Sequence, residues 1–199
     1  MKPSPYTPLS SLRLAEIISS VLPPGVLNCV AGENELGQWM TEHENIQKII
    51  FTGSIPTGKK VMNSSSATLK RLTLELGGND AGIVLDDIDP SAVARDIIQG
   101  AFLNNGQTCA ALKRLYVHES VHDELCEKLA EAATGIPMGD GLDEKNLQGP
   151  IQNKMQYDKV VDLFEDAKKQ GGRVLCGGDI PDTPGYFMPY TLVADVKDG

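Results

Sequence analysis

Cys109 is the residue of this chain best placed to act as a nucleophile. It follows residues 104–107, a bend rich in glycine and asparagine between a helix-like run and an apolar, strand-like run. A thiol in such a bend can meet a ligand, and its thiolate is a strong nucleophile. A buried, inert cysteine is the alternative interpretation. Glu75 favours the interpretation of Cys109 as a nucleophile over that of an inert cysteine. This carboxylate ends a strand-like run just before two glycines and could act as a base.

The other three cysteines lie in patterned segments, which indicates packing. Cys29, Cys126 and Cys176 form no CxxC pair and no tight cluster with histidine. The sequence therefore predicts neither a metal site nor a disulfide framework. Reduced thiols in a cytoplasmic protein are the simplest interpretation.

A turn that could hold a phosphate follows the predicted strand at residues 49–51. Gly53, Ser54 and Gly58 lie in the sequence TGSIPTGKK, which leads into a helix-like run. Free backbone N–H groups and the positive end of a helix dipole attract an anion at such a turn. Glycine permits close approach of the backbone. A plain strand-to-helix turn remains the alternative.

The same stretch also resembles a P-loop, GxxxxGK[ST], and IVLDD at 83–87 resembles a magnesium-binding strand. Lys60 stands where a P-loop needs a serine or threonine hydroxyl for Mg²⁺. A P-loop would also leave Glu75 and Cys109 without a role, so this interpretation is the weaker one.

Three segments in order carry a resemblance to a known family. They are FTGSIPTGK at 51–59, LTLELGGND at 72–80 and NNGQTCAALKR at 104–114. Together they resemble the aldehyde dehydrogenase superfamily, and the likeness covers nearly the whole chain. It implies oxidation of an aldehyde to a carboxylic acid, with Cys109 as the nucleophile and Glu75 as the base for water. A glutamate shielded from solvent suits that role, because burial raises a carboxyl pKa towards neutrality. The backbone N–H of Cys109 would be an oxyanion donor.

The resemblance also implies a nicotinamide cofactor, NAD or NADP. Lys2, in a KPS-type motif, would contact the adenosine ribose, and Ser54 the pyrophosphate. Leu76 and Gly77 would lie near the nicotinamide. Pro5 stands where members that prefer NAD often carry an acidic residue, so the choice between NAD and NADP stays open. Without the family match, Lys2 would be read as a solvated terminal lysine.

The resemblance implies an α/β fold of two parts. Residues 1–76 would be the later part of a Rossmann-like NAD(P)-binding domain, and residues 77–199 most of the catalytic domain, with a parallel sheet. The chain lacks family segments on both sides, including an oxyanion-hole asparagine and a later ribose-binding motif. We therefore expect a fragment of a homo-oligomeric parent enzyme. We expect this chain by itself to be nearly inactive as an enzyme. The alternative is that it is a catalytically dead remnant. Open sheet edges would favour self-association.

Alternating patterns predict strands and helices in turn. A helix should begin at Pro8 after a Thr7 N-cap, and Asp89 with Pro90 should begin another that runs to residue 102. The strand at 81–85, apolar on both faces, should be covered on both sides. Further strands are predicted at 26–30, 49–51, 71–76, 115–117 and 174–176, and further helices at 35–40, from 58, and at 121–133 and 154–169.

Charge and composition exclude some classes of partner. The net charge of −9 and pI near 4.8 argue against nucleic acid or an anionic membrane surface. No apolar run approaches the roughly 20 residues that a membrane-spanning helix needs. The family resemblance, and not the charge, implies a small-molecule aldehyde as the partner.

Overall fold

Two compact units make up the chain. A computed structural model describes residues 1–196, and its contacts separate Met1–Gly77 from Gly78–Gly199. The sequence-based boundary falls one residue earlier, after residue 76. That the first unit binds the nucleotide and the second performs catalysis stays a prediction.

The first unit contains three helices and one parallel pair of strands. Along the chain these are α1 (Leu9–Ser19), α2 (Asn34–Glu42), β1 (Lys48–Gly53), α3 (Ile55–Ser66) and β2 (Arg71–Leu76). Lys48 lies opposite Arg71, and Gly53 lies opposite Leu76. Parallel strands need a crossover connection, which α3 supplies. Both strands therefore end at the same edge of the sheet.

Local chemistry explains where α3 begins. The Ser54 hydroxyl caps the helix by accepting a hydrogen bond from the Thr57 N–H at 3.3 Å. Pro56 follows in the first turn, where a missing N–H costs nothing. The helix thus begins at Ile55, three residues before the position that the sequence pattern indicated.

The second unit contains the remaining elements. They are β3 (Asp80–Val84), α4 (Pro90–Phe102), a 3-10 turn (Leu103–Gly106), β4 (Leu112–Val117), α5 (His122–Ala133), α6 (Lys154–Lys169), β5 (Arg173–Cys176) and β6 (Leu192–Ala194). β3 and β4 pair in parallel. β5 and β6 pair antiparallel. The prediction of an α/β protein with largely parallel pairing is confirmed.

The core of the second unit lies where α4 and α5 pack on β3. Its buried residues are Val84, Ala94, Ile98, Leu125, Leu129 and Ala133. A second buried cluster joins Ile151, Phe164 and Met188. The Asp89 cap of α4 is confirmed, since its carboxylate accepts a hydrogen bond from the Ser91 N–H at 2.9 Å. Such a cap stabilises a helix by about 1 kcal/mol.

Three sequence predictions are wrong. Residues 26–30 form no strand, and the Val30 N–H instead donates to the Met1 carbonyl at 3.0 Å. Thr7 does not cap α1, because the capping position is Pro8, whose side chain cannot accept a hydrogen bond. β3 is not covered on both faces, since Ile83 is 74% exposed.

The amphipathic pattern of α1 predicts the helix correctly but not its burial. None of its residues is buried, and Leu9 is 78% exposed. Periodicity identifies an apolar face, whereas burial depends on a partner surface that periodicity does not encode. The first unit therefore presents apolar surface along α1.

Two features are absent from residues 1–196. No helix in that range combines the length and the apolar character that crossing a bilayer requires. Within the same residues, no group of three or more His, Cys, Asp or Glu side chains could hold a metal ion.

Candidate active site

Cys109 lies in an exposed loop that joins the end of α4 to the start of β4. The other three thiols are less accessible. Cys126 is buried on α5, while Cys29 and Cys176 are half-buried. Cys109 is therefore the thiol most open to a ligand in this chain.

Burial also makes Cys126 and Cys176 poor nucleophiles. It raises the pKa of the Cys126 thiol, against the opposing charge of Arg173. Burial likewise raises the pKa of the Cys176 thiol. Because the thiolate is the reactive form, both residues are less reactive at neutral pH than an ordinary cysteine. The prediction that these two cysteines serve in packing agrees with this environment.

The loop before Cys109 has an unusual backbone. Asn104, Asn105 and Gly106 all have positive φ angles, of 52°, 57° and 72°. Asparagine and glycine tolerate this left-handed region best, whereas most other residues would pay about 1–2 kcal/mol at each position. The Gly/Asn-rich sequence therefore has a physical reason: it allows three left-handed residues in succession.

Hydrogen bonds within the loop fix its second half. The Thr108 hydroxyl donates to the Leu103 carbonyl at 3.1 Å. The Lys113 ammonium donates to the Thr108 carbonyl at 2.7 Å and lies 3.5 Å from the Cys109 carbonyl oxygen. The backbone on both sides of Cys109 is thus held by side chains of its own loop and of β4.

Gly78 lies against the Cys109 backbone. A β-carbon at Gly78 would lie 2.7 Å from the Cys109 carbonyl oxygen, a distance that real structures do not show. At Gly77, by contrast, a β-carbon would have no neighbour within 4 Å. The sequence pattern placed only Gly77 in the site, whereas Gly78, the second glycine of the pair, is the one that this loop requires.

We expect Gly78→Ala to lower the free energy of unfolding by about 1–3 kcal/mol, because the added methyl group must displace the Cys109 backbone as well as the Asp80 carboxylate. Gly77→Ala is the matched control, with an expected change below about 1 kcal/mol. Neither glycine has a positive φ, so the pair isolates the effect of space. Urea unfolding of both variants measures the difference, and equal destabilisation would contradict the proposed contact.

Glu75 lies at the carboxyl end of β2, with Gly53 and Leu76 beside it. Thr52 pairs with Glu75, and Gly53 pairs with Leu76. Ligands of open α/β sheets bind outside this edge of parallel strands. The Glu75 side chain is exposed in this chain, so the expected shielding from solvent is not found.

Gly58 has a packing role in addition to any role in ligand binding. It is buried in α3, and a β-carbon there would come within 2.7 Å of Leu76 Cδ2. Its missing side chain lets α3 approach the end of β2 closely. Four of the predicted residues, Gly53, Ser54, Gly58 and Leu76, therefore lie together at one edge of the sheet.

The N-terminus of α3 fits an anion. Within the first turn Pro56 has no N–H and the Thr57 N–H bonds to the Ser54 hydroxyl. The Ile55 N–H and the positive end of the helix dipole are therefore what this turn offers an anion. The capping Ser54 is exposed, as is Gly53 before it. This edge therefore has the chemistry of an anion site.

The remaining predicted residues are placed differently. The Lys2 ammonium donates to the Pro3 carbonyl at 3.0 Å, and its side-chain carbons pass Gly37 of α2. Gly77 follows β2 directly and is exposed. Glu75 belongs to the first unit and Cys109 to the second.

Comparison with known proteins gives a consistent result. The profile described as the aldehyde dehydrogenase family matches residues 1–199. A probable aldehyde dehydrogenase from a Pseudomonas species is 45% identical over 187 residues, which are 94% of this chain and 38% of that relative. Aldehyde dehydrogenase LUC3 from a Fusarium species is 40% identical, over 99% of this chain and 42% of its own length.

Solved structures agree. PnpE from Pseudomonas sp. WBC-3, crystallised in complex with nicotinamide adenine dinucleotide, matches with a TM-score of 0.92 and 38% identity. The match covers 96% of this chain and 41% of PnpE. The fold class predicted from the sequence is thereby confirmed, and the chain spans only about two fifths of the length of these proteins.

Proposed function

This chain belongs to the aldehyde dehydrogenase family, and on that premise we propose that it carries the nucleophile and the base of an NAD(P)-dependent oxidation of an aldehyde to a carboxylic acid. One observation carries the proposal. The cysteine of the family-like motif is the exposed one, at the tip of a constrained loop, whereas Cys29, Cys126 and Cys176 are buried or half-buried.

Cys109 would begin the reaction. Its thiolate attacks the carbonyl carbon, and a carbon–sulfur bond forms as the carbonyl oxygen becomes an alkoxide. The Cys109 N–H is a candidate donor to that oxygen. A bound oxidised nicotinamide would supply the hydride acceptor, and loss of hydride from the alkoxide carbon would leave a thioester on Cys109.

Glu75 would complete the reaction as a general base. It takes a proton from water, and the resulting hydroxide attacks the thioester carbon. The carbon–sulfur bond then breaks, the carboxylic acid leaves, and Cys109 returns as thiolate. Because Glu75 is exposed in this chain, bound aldehyde and nucleotide would have to supply the shielding that a base near neutral pH needs.

The nucleotide would bind along the edge formed by β1, α3 and β2. The exposed first turn of α3, with Ser54 at its cap, supports a pyrophosphate site. Lys2 is the proposed contact to the adenosine ribose, and Leu76 and Gly77 are proposed to lie near the nicotinamide. PnpE, the structural relative, was crystallised with NAD. We propose NAD or NADP for this chain, with a small-molecule aldehyde as substrate.

The test joins turnover with trapping of the intermediate. The chain is incubated with NAD or NADP and a panel of aliphatic and aromatic aldehydes. Reduced nicotinamide is followed by absorbance, and acyl groups on each cysteine are mapped by mass spectrometry. Because near-inactivity of this chain alone is expected, we expect reduced nicotinamide to form only slowly. An acyl group should appear on Cys109 alone, and the aldehyde should protect Cys109 from iodoacetamide.

Two outcomes would contradict the proposal. In the first, neither reduced nicotinamide nor acylated Cys109 forms, and iodoacetamide alkylates Cys109 fully in the presence of aldehyde. That result would favour a catalytically dead chain. The other is an acyl group that appears on Cys29, Cys126 or Cys176 as readily as on Cys109.

A further inference from the structure

The loop that presents Cys109 is tied to a distant segment of the chain. The Asn105 side-chain amide donates to the Gly149 carbonyl at 2.6 Å. The Gln107 side-chain oxygen accepts a hydrogen bond from the Gln152 N–H at 2.9 Å. These bonds join residues that are 44 and 45 positions apart in the sequence. We call residues 149–152 the anchor segment.

The anchor segment is itself fixed in a packed core. Ile151 is buried in the cluster with Phe164 and Met188. Its N–H donates to the Tyr186 carbonyl at 2.8 Å. Just before the segment, the buried Gln148 amide donates to the Met188 carbonyl. The loop is therefore bonded to a segment that is packed in a core of the unit, in addition to its bond to the end of α4.

The two tethers hold the middle and the end of the left-handed turn. Asn105 is the middle one of three residues with positive φ, and Gln107 is the residue directly after them. The Gln107 amide nitrogen also donates to the Asn104 carbonyl at 3.3 Å, so both ends of this side chain are in use. A turn of this kind keeps its shape only where its surroundings determine it.

We propose that Asn105 and Gln107 are positioning residues for Cys109, acting through the anchor segment. The inference rests on the proposed function, because it concerns the reaction of the same thiol. Attack on a carbonyl requires the sulfur and the Cys109 N–H to face one substrate in a fixed relation. Simple alkylation by iodoacetamide needs only an accessible sulfur.

The difference between these two reactions provides the test. Acylation of Cys109 is measured with a small activated ester, whose carbonyl carbon bonds to sulfur as its phenolate leaves. Alkylation of the same residue is measured with iodoacetamide. Mass spectrometry of the intact, folded chain follows both reactions site by site. The ratio of the two rates reports positioning separately from exposure.

Three variants make the comparison sharp. Asn105→Gly keeps the freedom to adopt positive φ but removes the tether to Gly149. Gln107→Met keeps the shape of the side chain but removes the tether to Gln152. Asn146→Gly is the matched control, because it removes an amide-to-carbonyl bond of 3.0 Å within a neighbouring exposed turn.

We expect both tether variants to acylate Cys109 about tenfold or more slowly, while alkylation changes less than about threefold. Asn146→Gly should leave both rates within about twofold of the starting protein. Circular dichroism confirms that each variant is folded. Should one tether variant fail to fold, the other still gives the ratio.

The contradicting results are distinct. An unchanged acylation rate in a folded tether variant, or an equal loss of acylation and alkylation, would overturn the positioning role alone. A starting protein whose Cys109 is acylated no faster than its other thiols would overturn the proposed function itself.

Discussion

Replacing Cys109 with serine is expected to lower aldehyde oxidation by on the order of a thousandfold or more, because a hydroxyl is a far weaker nucleophile than a thiolate at neutral pH. The loop should keep its conformation, because the hydrogen bonds that hold it use the Thr108 hydroxyl and the Cys109 carbonyl, not the Cys109 sulfur. The loss should therefore appear in the rate and not in the melting temperature. Reduced-nicotinamide formation and acyl transfer to residue 109 from an activated ester both measure it.

Cys29→Ser is the matched control for this prediction. It removes a half-buried thiol from an irregular segment of the first unit without entering a packed core. We expect its turnover and its acylation of Cys109 to match those of the starting protein. Equal losses in the two variants, or undiminished turnover in Cys109→Ser, would assign the chemistry to another group.

Glu75→Gln is expected to separate the two halves of the reaction. Without the base, hydrolysis of the thioester should slow by about a hundredfold to ten-thousandfold, while formation of the thioester continues. The acyl group should therefore accumulate on Cys109. A rapid first turnover of reduced nicotinamide followed by a slow steady rate would report this accumulation, and mass spectrometry would identify the acylated residue.

The control for Glu75→Gln is Glu44→Gln, which removes the same charge from another exposed carboxylate of the first unit. It should leave the steady rate unchanged. If Glu75→Gln slowed acylation as much as hydrolysis, Glu75 would act in orienting the substrate or the nucleotide and not as the base for water.

Local sequence signals predicted the elements best. Asp89 and Pro90 mark the start of α4 through an N-cap and a first-turn proline, and the structure shows that cap. β2 has the bounds 71–76 that its alternating pattern indicated. Lys154–Lys169 is likewise the helix that its pattern indicated. In each case the residues that define the boundary are neighbours in the sequence.

Predictions that depended on distant partners were less accurate. The apolar run at 26–30 has the composition of a strand, but its backbone bonds to the terminal residue Met1, through the Asn28 carbonyl and the Val30 N–H, and it stays irregular. β3 was expected to be covered because its residues are apolar, yet Ile83 is exposed. Composition gives the tendency to be buried, and only the fold supplies the covering surface.

The candidate site divides along the same line. Motif residues such as Ser54, Glu75 and Cys109 could be chosen from the sequence, and their catalytic or binding roles stay predictions. The contacts of Gly78 and Asn105 could not be predicted from the sequence, because each is made with a backbone segment far along the chain. A single sequence shows that two glycines follow Glu75 but not which one meets the Cys109 loop.

The anchor segment has a consequence for how the length of this chain can vary. The neighbouring turn at residues 140–146 closes on itself, since Asn146 and Leu142 both bond to Asp140, and Leu142 is 93% exposed. Insertions are tolerated at such self-contained, exposed tips and not in segments tied to a core. Insertions in related sequences, and engineered tags, should therefore be found at 140–146. The number of residues between the anchor segment and Phe164 and Met188, the core partners of Ile151, should stay constant.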